Sequence, residues 1–234
     1  MIHDQNLPHN KIFRFLFLYF FYGCNWNCDF CILKKYRFDI HWSINQKNLE
    51  IKFLDLNDVI NILFKNDIRE VFLGGGEPTL DNSLPFLLKI LKDKKIKINT
   101  LTNGELLTKE IVDLSDRIAF SIKSVNDEIH KKIVHRSNKK SLENLEKLYN
   151  EKFTFETVYL KELGCKNVYE IAQFLDSIKN NLSLRVDPLI PVNEKFQRPD
   201  INDVDNCIKY VSKNSTVKIY RIIGSGKNAK VLYP

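Results

Sequence analysis

Three thiols stand within eight residues near the start of the chain, in Cys24-Asn25-Trp26-Asn27-Cys28-Asp29-Phe30-Cys31. Residues this close cannot lie far apart in space, so their sulfurs are available to one metal centre. A structural zinc site or a four-iron cluster closed by protein alone takes four ligands, whereas three leave one position open for a reactant. The spacing of three residues and then two lets a loop wrap one face of a cluster. Gly23 ahead of it permits a sharp turn at positive φ. Two other readings of the same cysteines are a zinc site completed by a distant histidine and reduced thiols with no shared role.

With aromatic Phe30 just before the last cysteine, Cys24, Cys28 and Cys31 resemble the signature of the radical S-adenosylmethionine (SAM) superfamily. The resemblance implies a [4Fe-4S] cluster on these three cysteines, with SAM on the open iron through its methionine amino and carboxylate groups. It implies reductive splitting of the sulfonium into methionine and a 5′-deoxyadenosyl radical that abstracts a hydrogen atom. Phe30 is then a cofactor contact, and Trp26 helps it cover the cluster.

The elements that must position this loop alternate between strand and helix. Residues 11 to 20 form an almost continuous apolar run, the pattern of a parallel strand covered on both faces. Asp55 or Asn57 caps a helix to about Lys65, and a strand over Glu70 to Leu73 precedes Gly74-Gly75-Gly76-Glu77-Pro78. Glycines there let backbone approach a ligand closely. At this distance from the cysteines the segment resembles the Gly-Gly-Glu motif of the same superfamily, implying that Gly75, Gly76 and Glu77 contact the SAM amine.

A helix over Ser83 to Lys94 leads to a strand over Lys97 to Leu101 and the turn Thr102-Asn103-Gly104, which resembles the third-strand end of radical SAM activating enzymes. A short helix over Thr108 to Leu114 leads to a fourth strand over Asp116 to Ile122, ending in Ser121-Ile122-Lys123. A fifth strand spans Thr154 to Leu160. Asn167 caps a helix to about Lys179, and a sixth strand spans Leu182 to Val186, with Arg185 and Asp187 placed either to meet SAM or to form a structural ion pair. A helix over Asp203 to Val211 and a strand over residues 216 to 223 close the chain.

This alternation argues for an α/β fold, an open partial (β/α)6 TIM-like barrel with parallel strands, whose special residues sit at strand C-terminal ends. Cys24, Cys28 and Cys31 then converge on one rim with Phe30, Gly75, Gly76, Glu77, Asn103, Ser121, Lys123 and Arg185, which the resemblance implies as the SAM contacts. The chain reads as a single domain over 1–234, with its core at about 11–190 and an extension over 191–234.

Residues 123 to 148 resemble the fourth βα unit of glycyl radical enzyme activating enzymes, of which the pyruvate formate-lyase activating enzyme is the type. The matching runs are Asn126-Asp127-Glu128-Ile129-His130, Ser137-Asn138 and Leu142-Glu143-Asn144-Leu145. Two positions depart from that family: Ser121 stands where Asp is usual, and His135 where Gly is usual. Losing the acid removes a negative charge from the rim and with it a possible cation contact. The resemblance implies a glycyl radical enzyme as partner and a flavodoxin or ferredoxin as electron donor. Radical modification of another peptide, small molecule or nucleic acid is the second reading, and a non-catalytic metal-binding module the third.

The 44% apolar and 28% charged residues are globular values, and the formal charge is +7. Lysines are spread along the sequence, so the excess reads as solvated surface and not as a nucleic-acid footprint. Grouped cysteines point to a reducing compartment, and Cys165 and Cys207 read as ordinary isolated thiols. The apolar run over 12 to 22 is broken by Arg14, has no cleavage site and is too short to span a bilayer. A cytoplasmic, oxygen-sensitive enzyme is the expectation. His41 reads as a packing or surface residue. Gly224-Ser225-Gly226-Lys227 resembles a fragment of a phosphate loop without the full spacing.

Overall fold

Seven parallel strands lie side by side in chain order: β2 (Phe15–Phe20), β3 (Glu70–Gly75), β4 (Lys97–Thr102), β5 (Arg117–Ser121), β6 (Phe153–Tyr159), β7 (Ser183–Pro188) and β8 (Lys218–Tyr220). The computed structural model describes residues 2–3, 15–20, 23–36, 53–222 and 229–230. Consecutive parallel order with intervening helices is the topology of a βα barrel. Here the sheet stays open, with β8 at one end. At the other end β1 (Ile2–His3) pairs antiparallel with both β2 and β9 (Ala229–Lys230), an addition the sequence pattern did not disclose.

Helices α1 (Leu56–Lys65), α2 (Leu84–Asp93), α3 (Lys109–Leu114), α4 (Asp127–Val134), α5 (Lys139–Leu148), α6 (Gly164–Ile178) and α7 (Ile201–Asn214) cover the sheet. Their starts follow local chemistry: the Asp55 carboxylate accepts from Asp58 N at 2.8 Å and Thr108 Oγ1 from Ile111 N at 3.3 Å. The core lies between sheet and helices. Leu63, Leu88, Leu91, Leu145, Ile171 and Leu175 pack on Val71, Leu73, Ile98, Ile118, Phe120 and Leu184. Each such side chain contributes about 1.5–3 kcal/mol through burial.

The fourth βα unit carries two helices, α4 and α5. Two expectations change. Asn167 is not the cap of α6: the helix begins at Gly164, and Asn167 is buried in its first turn, donating Nδ2 to the Lys123 carbonyl at 3.0 Å. Cys165 and Cys207 are not isolated thiols, because packing of α6 on α7 brings their Cα atoms to 5.3 Å and the two form a disulfide. His41 and Gly224 to Lys227 lie outside the described residues, as does the rest of 37–52. Just after the cysteines, Ile32–Lys34 is a short 3-10 turn.

Candidate active site

Every motif loop leaves the same sheet edge. Strands β2 and β3 are paired with Phe20 opposite Gly75, so the cysteine loop and the glycine turn leave the sheet at one level. Gly75 has φ 102°, a conformation open to glycine at no steric cost. Glu77 N then donates to the Gly23 carbonyl at 2.9 Å, tying the two loops together. Gly104, φ 79°, is required on a second ground. A Cβ there would lie 2.1 Å from the ring of Phe120, which is fully buried on β5.

The rim encloses a cavity of about 950 Å³. Cys24, Cys28, Phe30, Cys31, Gly75, Gly76, Glu77, Asn103, Ser121 and Lys123 all line it. Arg185 does not. Its guanidinium is taken by the carboxylates of Glu156 and Asp187, the latter with Nε to Oδ2 at 2.9 Å, so it is placed as an ion pair between β6 and β7. Glu77 is 2% exposed and its carboxylate is held by hydrogen bonds on both oxygens. Oε1 accepts from Thr79 Oγ1 at 2.6 Å and Thr102 Oγ1 at 2.7 Å, and Oε2 accepts from Asn103 N at 2.7 Å. These bonds fix the shape of the glycine turn, while Oε2, with one of them, keeps acceptor capacity, and Glu77 lines the cavity beside Gly75 and Gly76.

The cysteine loop is anchored from several sides. Asn27 N and Asp29 N donate to the Val134 and Ile133 carbonyls at 3.1 and 3.0 Å, using acceptors left open at the end of α4. Trp26 donates Nε1 to Glu105 Oε2 at 2.6 Å, and Arg136 holds the same carboxylate through Nε at 2.8 Å. Asn144 Nδ2 donates to the Gly104 and Glu105 carbonyls, both at 2.9 Å, so α5 fixes the turn that fixes the loop. Trp26, Phe30, Ile133, Val134, Leu160, Leu189 and Phe196 form a second, smaller core beneath the thiols.

His135 adopts the left-handed conformation at the C-cap of α4, φ 63°. That conformation costs a residue with a Cβ about 1–2 kcal/mol. Its Nε2 lies 2.7 Å from Asp29 Oδ1, and Lys195 grips the other oxygen. Burial alone would raise the Asp29 carboxyl, but these partners hold it below its ordinary value. In sequence His135 stands out as a departure while its partner does not, because nothing local links residues 29 and 135.

The donor set suits a cluster. All three cysteines are free thiols beside the cavity, and among the described residues no three metal-ligating side chains converge on a single-ion site. Burial pushes the Cys28 thiol up to about 12 and raises that of Cys24. Binding iron would draw off those protons. Trp26 N and Asn103 Nδ2 point at Cys24 Sγ from 3.4 and 3.7 Å, hydrogen bonds of the kind that tune a cluster's potential.

The radical SAM superfamily signature matches residues 18–175, which includes every one of these loops. The chain belongs to the radical SAM superfamily. It is 26% identical over 208 residues to a candidate glycyl-radical enzyme activating enzyme of Methanocaldococcus jannaschii, covering 83% of this chain and 77% of that one. It is 31% identical over 163 residues to the GTP 3′,8-cyclase of Aliarcobacter butzleri, covering 66% of this chain and 49% of the cyclase. Streptococcus suis SuiB shares the fold at a TM-score of 0.67 and 20% identity, over 89% of this chain and 49% of SuiB. The chain thus spans about half the length of the cyclase and of SuiB. As a radical SAM enzyme it uses a [4Fe-4S] cluster and SAM, and SuiB has been crystallised with SAM bound. Among the described residues no helix is long and apolar enough to cross a membrane.

Proposed function

We propose that this enzyme abstracts a hydrogen atom from a backbone glycine of a partner polypeptide, as a glycyl radical enzyme activating enzyme does. The charge balance of the cavity wall carries this reading. The cavity lining holds Lys123 and Arg198 among Glu77, Glu156, Asp187 and Asp200, together with apolar Pro188, Leu189, Ile190, Pro199, Ile201 and Ile222. A triphosphate would need an excess of cations there; a neutral peptide backbone does not. The similarity to the M. jannaschii protein over most of both chains supports the same reading.

In this reading residues 1–234 act as one radical SAM domain. Cys24, Cys28 and Cys31 hold the cluster, and backbone groups of Gly75 and Gly76 orient the methionine end of SAM. Asn103, Ser121 and Lys123 line the path beyond it, and Phe30 excludes water. When bound, the reduced cluster supplies the electron that splits the SAM sulfonium.

The test is anaerobic SAM cleavage with glycyl peptides deuterated at Cα or with uniformly deuterated GTP. Deuterium passing from the peptide into 5′-deoxyadenosine is the expected result. Transfer from GTP, or none from peptide, overturns the proposal.

A further inference from the structure

The chain between β7 and α7, residues 189–200, lies as a strap across the rim. Leu189, Ile190, Arg198, Pro199 and Asp200 line the cavity. Between them the strap grips the cysteine loop: Asn193 Nδ2 donates to the Asp29 carbonyl at 2.8 Å, Lys195 holds the Asp29 carboxylate, and the Phe196 and Phe30 rings meet edge to face at 5.7 Å. Asp29 stands between Cys28 and Cys31. A displacement of the strap therefore moves the cysteine loop and a cavity wall together.

The strap is tied down at the start of α6. Gln197 N donates to Glu162 Oε1 at 2.8 Å and Lys161 Nζ donates to Gln197 Oε1 at 3.0 Å. Both bonds are exposed and contribute little on their own. Leu160 packs with Leu189 and Phe196 in the smaller core. Beyond Asp200 the strap runs into α7, and there Cys207 is bonded to Cys165, in the first turn of the same helix α6. Without that bond α7 rests on the core through Val204, Cys207, Ile208 and Val211, and on α6 through Tyr210 against Tyr169 at 5.5 Å. A helix held this way opens locally at less than the free energy of global unfolding, and a covalent tie to α6 suppresses that opening. Cys207 is buried and Cys165 half-buried, so a small thiol reaches the pair from the Cys165 side.

We infer that Cys165 and Cys207 form a redox clasp on this strap. Oxidised, the pair holds residues 189–214 shut over the cysteine loop and the cavity; reduced, it frees them to open. Strongly reducing conditions, in which the superfamily's cleavage of SAM runs, also favour opening of a protein disulfide. The site thus closes under oxidising conditions and opens where it works. In the opening step the thiolate of a small dithiol displaces Cys207 from the Cys165 sulfur, and its second thiol then displaces Cys165. The pair gains two electrons and two protons, and the dithiol leaves as its own cyclic disulfide. The inference rests on the superfamily's reductive chemistry and not on the glycyl substrate.

In the experiment the reconstituted enzyme is equilibrated anaerobically with reduced or oxidised dithiothreitol, and alkylation with mass spectrometry counts the free thiols at 165 and 207. Amide hydrogen exchange over 189–214 is measured in each state. The Cys165→Ser, Cys207→Ser double variant passes through the same buffers, as the control for any effect of the buffer on the cluster. Exchange over 189–214 about tenfold faster once the pair is reduced, with α2 unchanged and the variant fast in both buffers, is the expected outcome. Equal exchange with the pair oxidised and reduced overturns the inference, and the native protein's two states decide this even where the variant does not fold. A pair that stays oxidised while dithionite drives SAM cleavage, or that never oxidises, overturns it as well. None of these readouts uses a peptide, so they stand or fall apart from the proposed substrate.

Discussion

Ser121 and Glu156 are register partners on β5 and β6, and the serine hydroxyl donates to Glu156 Oε1 at 2.5 Å. The carboxylate missing at position 121 is thus supplied from the neighbouring strand, with its second oxygen on Arg185. Ser121→Asp would set two carboxylates against each other, a pair that must share a proton or bind a cation. Its melting temperature should fall at low salt and recover with potassium but not with tetramethylammonium at equal ionic strength. Equal recovery by both ions would show that no cation sits there.

His130 is fully buried, its Nδ1 donating to the Arg136 carbonyl at 2.7 Å and its ring meeting Trp26 edge-on at 4.6 Å. Burial keeps its pKa below the ordinary 6.5. As pH drops below 6.5 the unfolded chain takes up a proton that the folded state resists, so this contribution to stability is whole above 6.5 and is lost on acidification. Urea midpoints from pH 8 down to 5 should fall more steeply for the native protein than for His130→Asn, which keeps a donor. Parallel curves would remove His130 from the account.

Trp26→Phe keeps the ring but leaves Glu105, 7% exposed, with Arg136 as its remaining side-chain partner. A lost hydrogen bond to a buried charge costs about 1–3 kcal/mol, or roughly 3 °C per kcal/mol in a chain of this size. Iron should also leave this variant faster under a chelator, since Trp26 lies between two ligands. A normal melt with normal iron retention would mean that the indole contact does not anchor the loop.

The disulfide between Cys165 and Cys207 closes a 42-residue separation and ties α6 to α7. Cross-links of that span contribute about 3–4 kcal/mol through the unfolded chain. The Cys165→Ser, Cys207→Ser double variant should lose about that much in chemical denaturation without reductant. A native value would show that the bond does not form in solution.

The legible parts were those with local spacing. The cysteine triplet, the glycine turn and the alternation of apolar runs each lie within a few residues, so the parallel βα order and the common rim followed from them. What stayed hidden were pairs made by folding alone: Asp29 with His135, Trp26 with Glu105, Ser121 with Glu156, Cys165 with Cys207. Each joins residues at least 35 apart that share no period or motif. Arg185 was left between two roles because a strand-end arginine reads alike in either, and only the positions of Glu156 and Asp187 separate them.

The central claim is that three thiols leave one iron of a cluster open beside the glycine turn. Anaerobic reconstitution with iron and sulfide, followed by reductant and SAM, tests it most directly when the native protein is set against Cys28→Ala. The account predicts about four irons per chain and 5′-deoxyadenosine from the native protein, and neither from the folded variant. Cleavage retained by Cys28→Ala, or a native protein that takes up a single zinc ion and forms no 5′-deoxyadenosine, would contradict it.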